Sequence, residues 1–243
     1  MTKAEPALSG RIALVTGASR GIGAAVAERM AAEGAHVYAV ARSEADLETL
    51  NQRINEKGGI GTMVPLDLTN GEAIDRLGGV IAERHRRLDI LVGNAAVLGA
   101  VSPLGHIRPH VWDRVIEVNL TTNWRLIRSM DPLLHQSDAG RVLFVTSGVA
   151  RRPRAFWGAY AVSKAAVEML AGIYAEEVAK TNIRVNMIDP GVVRTGMRAA
   201  AMPGEDPDTL PPPEAITDTF VTLASPSCDS HGEVIKAKVS ASD

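Results

Sequence analysis

Seven short runs of β-branched and apolar residues, at 11–15, 36–41, 60–66, 89–93, 141–146, 183–188 and 232–236, punctuate the chain. Stretches with helical spacing separate most of them, at 21–33, 44–57, 72–87, 109–134, 159–180 and, after a long loop, 214–224. This alternation restricts the fold more than any other feature. Parallel strands need crossovers of about this length, and right-handed crossovers lay helices on both faces of one sheet. The pattern predicts a doubly wound α/β fold around a seven-stranded, mainly parallel sheet. No composition shift or internal repeat divides the 243 residues, so a single domain is expected.

Composition excludes some partners. The formal net charge is only -2 and no block of Lys and Arg gives the electrostatic footprint of a nucleic-acid binder. No uninterrupted apolar run reaches membrane-spanning length, and the first ten residues lack the apolar centre of a signal peptide. Cys228 is the only cysteine, so no internal disulfide forms. A cytoplasmic protein without membrane or nucleic-acid partners is the expectation.

The first strand leads directly into Thr16-Gly17-Ala18-Ser19-Arg20-Gly21-Ile22-Gly23, after which an Ala-rich helix begins. Glycines let a backbone turn tightly against a pyrophosphate, and the free N–H groups of the helix start favour its charge. The spacing is Gly-x-x-x-Gly-x-Gly rather than the usual Gly-x-Gly-x-x-Gly of dinucleotide sites. The end of the second strand would hold a ribose 2′-OH through a carboxylate in an NAD site, and here it carries Ala41 and Arg42. A guanidinium there, with Arg20 in the turn, accommodates a 2′-phosphate; NADP is the expected cofactor and NAD the less favoured one. Both arginines are also compatible with a plain solvated surface.

Tyr160 and Lys164 stand four apart in a predicted helix and share a face. A phenol with a pKa near 10 is a poor base, and lowering it by about 3 units takes roughly 4 kcal/mol. One ammonium at about 4 Å in an effective dielectric of about 20 supplies roughly that. Tyr-x-x-x-Lys alone is a common spacing, equally suited to a helix with an exposed lysine. Ser147 follows the fifth strand, where its hydroxyl can donate to a developing oxyanion. Asn119 is an amide in an otherwise apolar stretch and must find buried partners.

Taken together these motifs resemble the short-chain dehydrogenase/reductase family over nearly the whole chain, which implies a Rossmann-type fold. Residues 16–23 are similar to that family's cofactor turn, with Gly17, Ser19, Arg20, Gly21, Ile22 and Gly23 as expected cofactor contacts beside Arg42. Asn119, Ser147, Tyr160 and Lys164 match its catalytic tetrad. Asp67 with Leu68 resembles its adenine contact, Asn94 its residue after the fourth strand, and Pro190, Gly191, Val193 and Thr195 the segment that touches the nicotinamide.

The resemblance implies hydride exchange between NADP(H) and a small carbonyl or alcohol substrate, with Tyr160 giving or taking the oxygen's proton. It further implies that Ser147 polarises the oxygen, that Lys164 binds the nicotinamide ribose and depresses the tyrosine pKa, and that Asn119 holds a water linking Lys164 to solvent. No metal is required by this scheme. The resemblance also suggests a homodimer or homotetramer. The other class left open is a non-catalytic NADP(H)-binding sensor or scaffold of the same fold.

Two segments depart from the family pattern. Gly93-Asn94-Ala95-Ala96 places a Cβ at 96 near the expected adenosine path, and Val234-Ile235-Lys236-Ala237-Lys238 replaces the usual C-terminal motif. Residues 190–213, rich in Gly, Pro and Met, read as a long loop and a candidate substrate lid. Phe156, Trp157, Met197 and Met202 are candidates for an apolar pocket, and one of Arg151, Arg152 and Arg154 for meeting an acidic substrate group. All of these also fit plain packing or solvated loops.

Overall fold

The computed structural model of the chain describes residues 6–240. Its seven strands are β1 (Ile12–Thr16), β2 (His36–Ala41), β3 (Ile60–Pro65), β4 (Ile90–Gly93), β5 (Arg141–Val145), β6 (Arg184–Asp189) and β7 (Val234–Lys236). They form one sheet in the order β3-β2-β1-β4-β5-β6-β7. All six pairings are parallel, so the expectation of a mainly parallel sheet is met in full. The helices are α1 (Gly21–Ala32), α2 (Glu44–Glu56), α3 (Gly71–His85), α4 (Pro109–Ile116), α5 (Thr122–Leu134), α6 (Gly158–Val178), α7 (Gly196–Ala201) and α8 (Thr217–Ala224).

Alternate residues of the central strands feed two apolar layers, one on each face of the sheet. Ala13 and Val15 of β1 pack with Met30 of α1, Leu50 of α2 and Phe220 of α8. Ile12 and Leu14 face the other way, toward Ile74 of α3, Met130 of α5 and Val167 of α6. Burial on both faces explains why these strands read as unbroken apolar runs instead of alternating ones.

The two edges of the sheet differ in chemistry. At the amino edge the buried Asp89 carboxylate accepts from the Ile12 N–H at 2.8 Å, the Ser137 hydroxyl at 2.6 Å and the Arg11 guanidinium at 3.1 Å. A buried charge is tolerable when it is paired this completely. At the carboxyl edge the strand order reverses between β1 and β4, which splays the following connections apart and opens a crevice.

Helix starts mark the same division. Ser43 and Asn70 cap α2 and α3 by accepting from the N–H groups of Asp46 and Ala73. The start of α1 has no side-chain cap and no acid in its first turn, so its amides and dipole serve the crevice.

The stretch at 109–134 is not one regular helix. A π turn over Glu117–Thr121 joins α4 to α5, and it carries Asn119. Single π turns of this kind often accompany functional sites, because the extra residue shifts side chains off the regular helical face.

Candidate active site

The crevice is a cavity of about 570 Å³. Its floor is the glycine turn, where Gly17 and Gly21 have φ of +67° and +57°. Those values favour glycine because a Cβ crowds the backbone there. Gly17, Ser19, Arg20, Gly21 and Ile22 line the cavity, but Gly23 does not. It lies beneath the turn, where an added Cβ would stand 2.3 Å from the Gly17 carbonyl oxygen.

The turn is pinned from the side. The Thr16 hydroxyl donates to the Val92 carbonyl and accepts from the N–H groups of Asn94 and Ala95, while the Asn94 amide donates to the Thr16 carbonyl at 2.8 Å. Ala96 lines the cavity without a positive φ, so its Cβ brings no backbone strain to this departure from the family motif.

One end of the crevice is formed by Ala41, Arg42, Asp67, Leu68 and Thr69. Asp67 accepts from the N–H and hydroxyl of Thr69 at 3.0 and 2.8 Å, and the backbone bond in particular holds its carboxyl below the usual range. Arg20 and Arg42 are exposed and make no side-chain hydrogen bond or ion pair among the described residues. Arg114 of α4, which no sequence motif singles out, also lines this end.

At the other end lie Ser147, just beyond β5, and Tyr160 and Lys164 in the first two turns of α6. Tyr160 is 9% exposed and Lys164 2%. The lysine Nζ donates to the Val145 carbonyl at 2.7 Å and stands 5.8 Å from the centroid of the tyrosine ring. Burial pushes the Tyr160 phenol up to about 12; a hydrogen bond with Ser147 works against this and the charge of Asp189 adds to it. Burial also brings Lys164 down to about 8. The expected fall in the tyrosine pKa is therefore reversed: desolvation exceeds the help available from a lysine turned onto a backbone carbonyl.

Asn119 is fully buried and stands behind the crevice rather than in its wall. Its side-chain oxygen accepts from the Val97 N–H at 2.8 Å, and its nitrogen donates to the Val97 carbonyl and the Ser163 hydroxyl, both at 3.0 Å. Ser163 in turn donates to the Tyr160 carbonyl at 2.7 Å. Asn119 thus ties the segment after β4 to the helix that carries the tyrosine and lysine.

Pro190, Gly191, Val193 and Thr195 all line the crevice. The segment 190–213 is not an unstructured loop, however. It contains α7, capped by Thr195, and a 3-10 turn over Pro207–Thr209. An Arg198–Glu205 pair and an Arg194–Asp208 pair brace it internally.

Trp157 and Met197 line the cavity, whereas Phe156 and Met202 do not. Of the three arginines between Ser147 and Tyr160, Arg151 is occupied by Asp189 at 2.7 Å and Glu168 at 3.5 Å. Arg154 lies 5.3 Å above the Trp157 ring centroid, and Arg152 is exposed. Arg151 is thereby spoken for within the protein, and none of the three arginines lines the cavity.

The sequence profile described as short chain dehydrogenase matches residues 11–206. The chain belongs to the short-chain dehydrogenase family. Over 219 residues it is 41% identical to the uncharacterized oxidoreductase YciK of Escherichia coli, covering 89% of this chain and 86% of that protein. A short-chain dehydrogenase of Shigella flexneri complexed with NADP superposes with a TM-score of 0.92 at 38% identity, covering 96% of this chain and 98% of that one. One from Escherichia coli complexed with NADPH gives a TM-score of 0.91 at 39% identity, covering 97% and 100%. As a member of this family the chain is an oxidoreductase with a Rossmann-like single domain.

Proposed function

We propose that this short-chain dehydrogenase interconverts a carbonyl compound and its secondary alcohol with NADP(H), and that Tyr160 is the proton donor and acceptor. The observation that carries the reading is the meeting of Tyr160, Ser147 and Lys164 at one end of a crevice whose other end holds two unpaired arginines. The uncapped start of α1 and the glycine floor suit a pyrophosphate. The two related structures solved with NADP and NADPH support the choice of cofactor.

A bound NADP(H) supplies or accepts the hydride. Ser147 holds the substrate oxygen through its hydroxyl and stabilises the charge that develops there. Tyr160, which keeps its proton up to about 12, is poised to give it to that oxygen. The Lys164 ammonium lies across the tyrosine ring and stabilises negative charge on the phenol side as the proton leaves. Asn119 acts through position, fixing α6 and the wall at Val97. The segment 190–213 is proposed as a lid that closes over the substrate, with Met197 on its inner side.

Among the described residues no helix is long and apolar enough to cross a membrane. A cytoplasmic location and a homodimer or homotetramer complete the proposal. Self-association is supported by Trp124 of α5 and Met169 and Ile173 of α6, which are 49%, 67% and 52% exposed.

The pH dependence has a definite sign. Lys164 carries its charge below about 8 and loses it above, whereas Tyr160 remains protonated to about 12. Because kcat/KM reports the free enzyme, carbonyl reduction should be flat below a pH of about 8 and fall above it, close to tenfold per unit. A profile without a descending limb near that pH would remove Lys164 from the mechanism.

Cofactor choice gives a second expectation. Replacing Arg20 and Arg42 together by Ala should weaken NADP+ binding by at least about 100-fold and leave NAD+ binding within about twofold, since each charge-assisted contact is worth about 1.5–3 kcal/mol. Calorimetric titration with both nucleotides checks it. Equal losses for the two would show that the arginines do not read the 2′-phosphate.

A further inference from the structure

Arg114 is a guanidinium with a place in the crevice and, among the described residues, no direct hydrogen-bond or ion-pair partner. It projects from α4 into the wall beside Asp67, Leu68 and Thr69 and is half-buried. Among the described residues it makes no side-chain hydrogen bond and no ion pair. The carboxylate that helical spacing would offer it, Glu117, is taken by Arg125 at 2.7 Å. Its charge partner is Asp67 of the same wall, which feels the guanidinium through space without a direct ion pair, so the donors of this half-buried cation stay unmatched unless something else meets them.

The surroundings specify what that is. The turn beside Arg114 is held rigidly: Thr122 donates to the Leu68 carbonyl at 3.1 Å, and Arg125 to the Thr69 carbonyl at 2.7 Å. Leu68 and Val118, which also line the crevice, are 7% and 8% exposed, so the site has apolar walls. Asp67 contributes a negative charge. A phosphate would meet that charge and two apolar side chains here, while the glycine turn and the two exposed arginines offer it better places. A flat, neutral, electron-rich ring fits apolar walls, a nearby carboxylate acceptor and a planar cation.

We infer that Arg114 is a nucleotide-binding residue whose guanidinium lies against the purine of the cofactor, giving affinity to the adenosine half without reading the 2′-phosphate. The inference rests on the NADP(H) reading of the crevice given above. It assigns separate tasks to the arginines: Arg20 and Arg42 select, and Arg114 holds what NADP(H) and NAD(H) have in common.

The test is direct binding, measured by calorimetry with NADP+, NAD+ and ADP as three separate probes and requiring no turnover. Arg114→Met keeps the length of the side chain and removes the charged plane. The dissociation constants of all three probes are expected to rise by the same factor, about tenfold. Arg114→Lys, which keeps the charge and loses the plane, should recover less than half of the logarithmic loss. Melting temperature should change little in either variant, because no direct hydrogen bond or ion pair within the described residues is removed.

Unchanged affinity for the three probes overturns the inference. A loss confined to NADP+ also overturns it, since that would put Arg114 at the 2′-phosphate. Failure of the parent protein to bind any of the three would instead overturn the cofactor reading on which the inference stands.

Discussion

Tyr160→Phe is expected to lower kcat for carbonyl reduction by about a thousandfold while NADPH binding stays within about twofold of the parent. The substitution removes one hydroxyl and keeps the ring, which packs edge-on to Trp157 at a centroid separation of 6.0 Å. Burial has already made this phenol costly to ionise, lifting it to about 12. Losing the hydroxyl therefore removes an acid rather than a structural charge. The one contact broken is with Ser147, and the change in stability should stay within about 1 kcal/mol.

Single-turnover oxidation of NADPH across a panel of carbonyl compounds measures the effect. A loss smaller than tenfold sinks the proton-transfer role of Tyr160. If the parent binds NADPH tightly and turns over no carbonyl at all, a sensor or scaffold of the same fold is the better reading. The pH profile and this substitution are complementary, because the first follows Lys164 near 8 and the second interrogates the phenol.

The strand and helix pattern was legible because both faces of the sheet are covered. Residues 36–41 read as a strand and form β2 without a residue's difference, since every side chain there meets a helix layer or its own neighbours. Two segments were less legible for identifiable reasons. The π turn at Glu117–Thr121 adds one residue to a helical pattern without a change of composition, so periodicity runs straight through it. In the segment 190–213, α7 has six residues, too few for a period to register, and its stability comes from the Thr195 cap and the Arg198–Glu205 pair.

The site shows the same division. Four-residue spacing put Tyr160 and Lys164 on one face correctly, yet it carried no information about burial, and burial reversed the expected direction of the tyrosine pKa. Asn119 was recognisable as a buried amide, but its partners, Val97 and Ser163, are 22 and 44 residues away in the chain. Arg114 was invisible for a further reason. An arginine on a helix face is ordinarily solvated, and only the folded chain shows that it lines the crevice with Glu117 already paired to Arg125.

The glycine turn supplies the other large effect. Gly23→Ala should abolish measurable cofactor binding or weaken it by about 100-fold or more, though Gly23 itself does not line the crevice. The new Cβ would lie 2.3 Å from the Gly17 carbonyl oxygen and 2.4 Å from the Asn94 side-chain nitrogen. Neither neighbour is free to yield. The Asn94 nitrogen donates to the Thr16 carbonyl at 2.8 Å, and Gly17 is boxed in by Ala95, whose N–H is bound to Thr16 at 3.1 Å. Relief requires α1 to back away from β1, which carries its amide N–H groups off the pyrophosphate path and opens the helix–strand packing at a cost of about 1–3 kcal/mol.

Gly79→Ala is the control. Gly79 sits in the middle of α3, and an added Cβ there meets nothing within 4 Å. It should raise stability by about 0.5–1 kcal/mol through the lower entropy of the unfolded chain and leave nucleotide affinity unchanged. Thermal unfolding and NADPH titration of the two variants, run together, separate a turn built around a missing side chain from a general intolerance of alanine. Retained affinity in Gly23→Ala would mean that the helix can shift without moving the anion site, and the proposed seating of the cofactor on the start of α1 would fall.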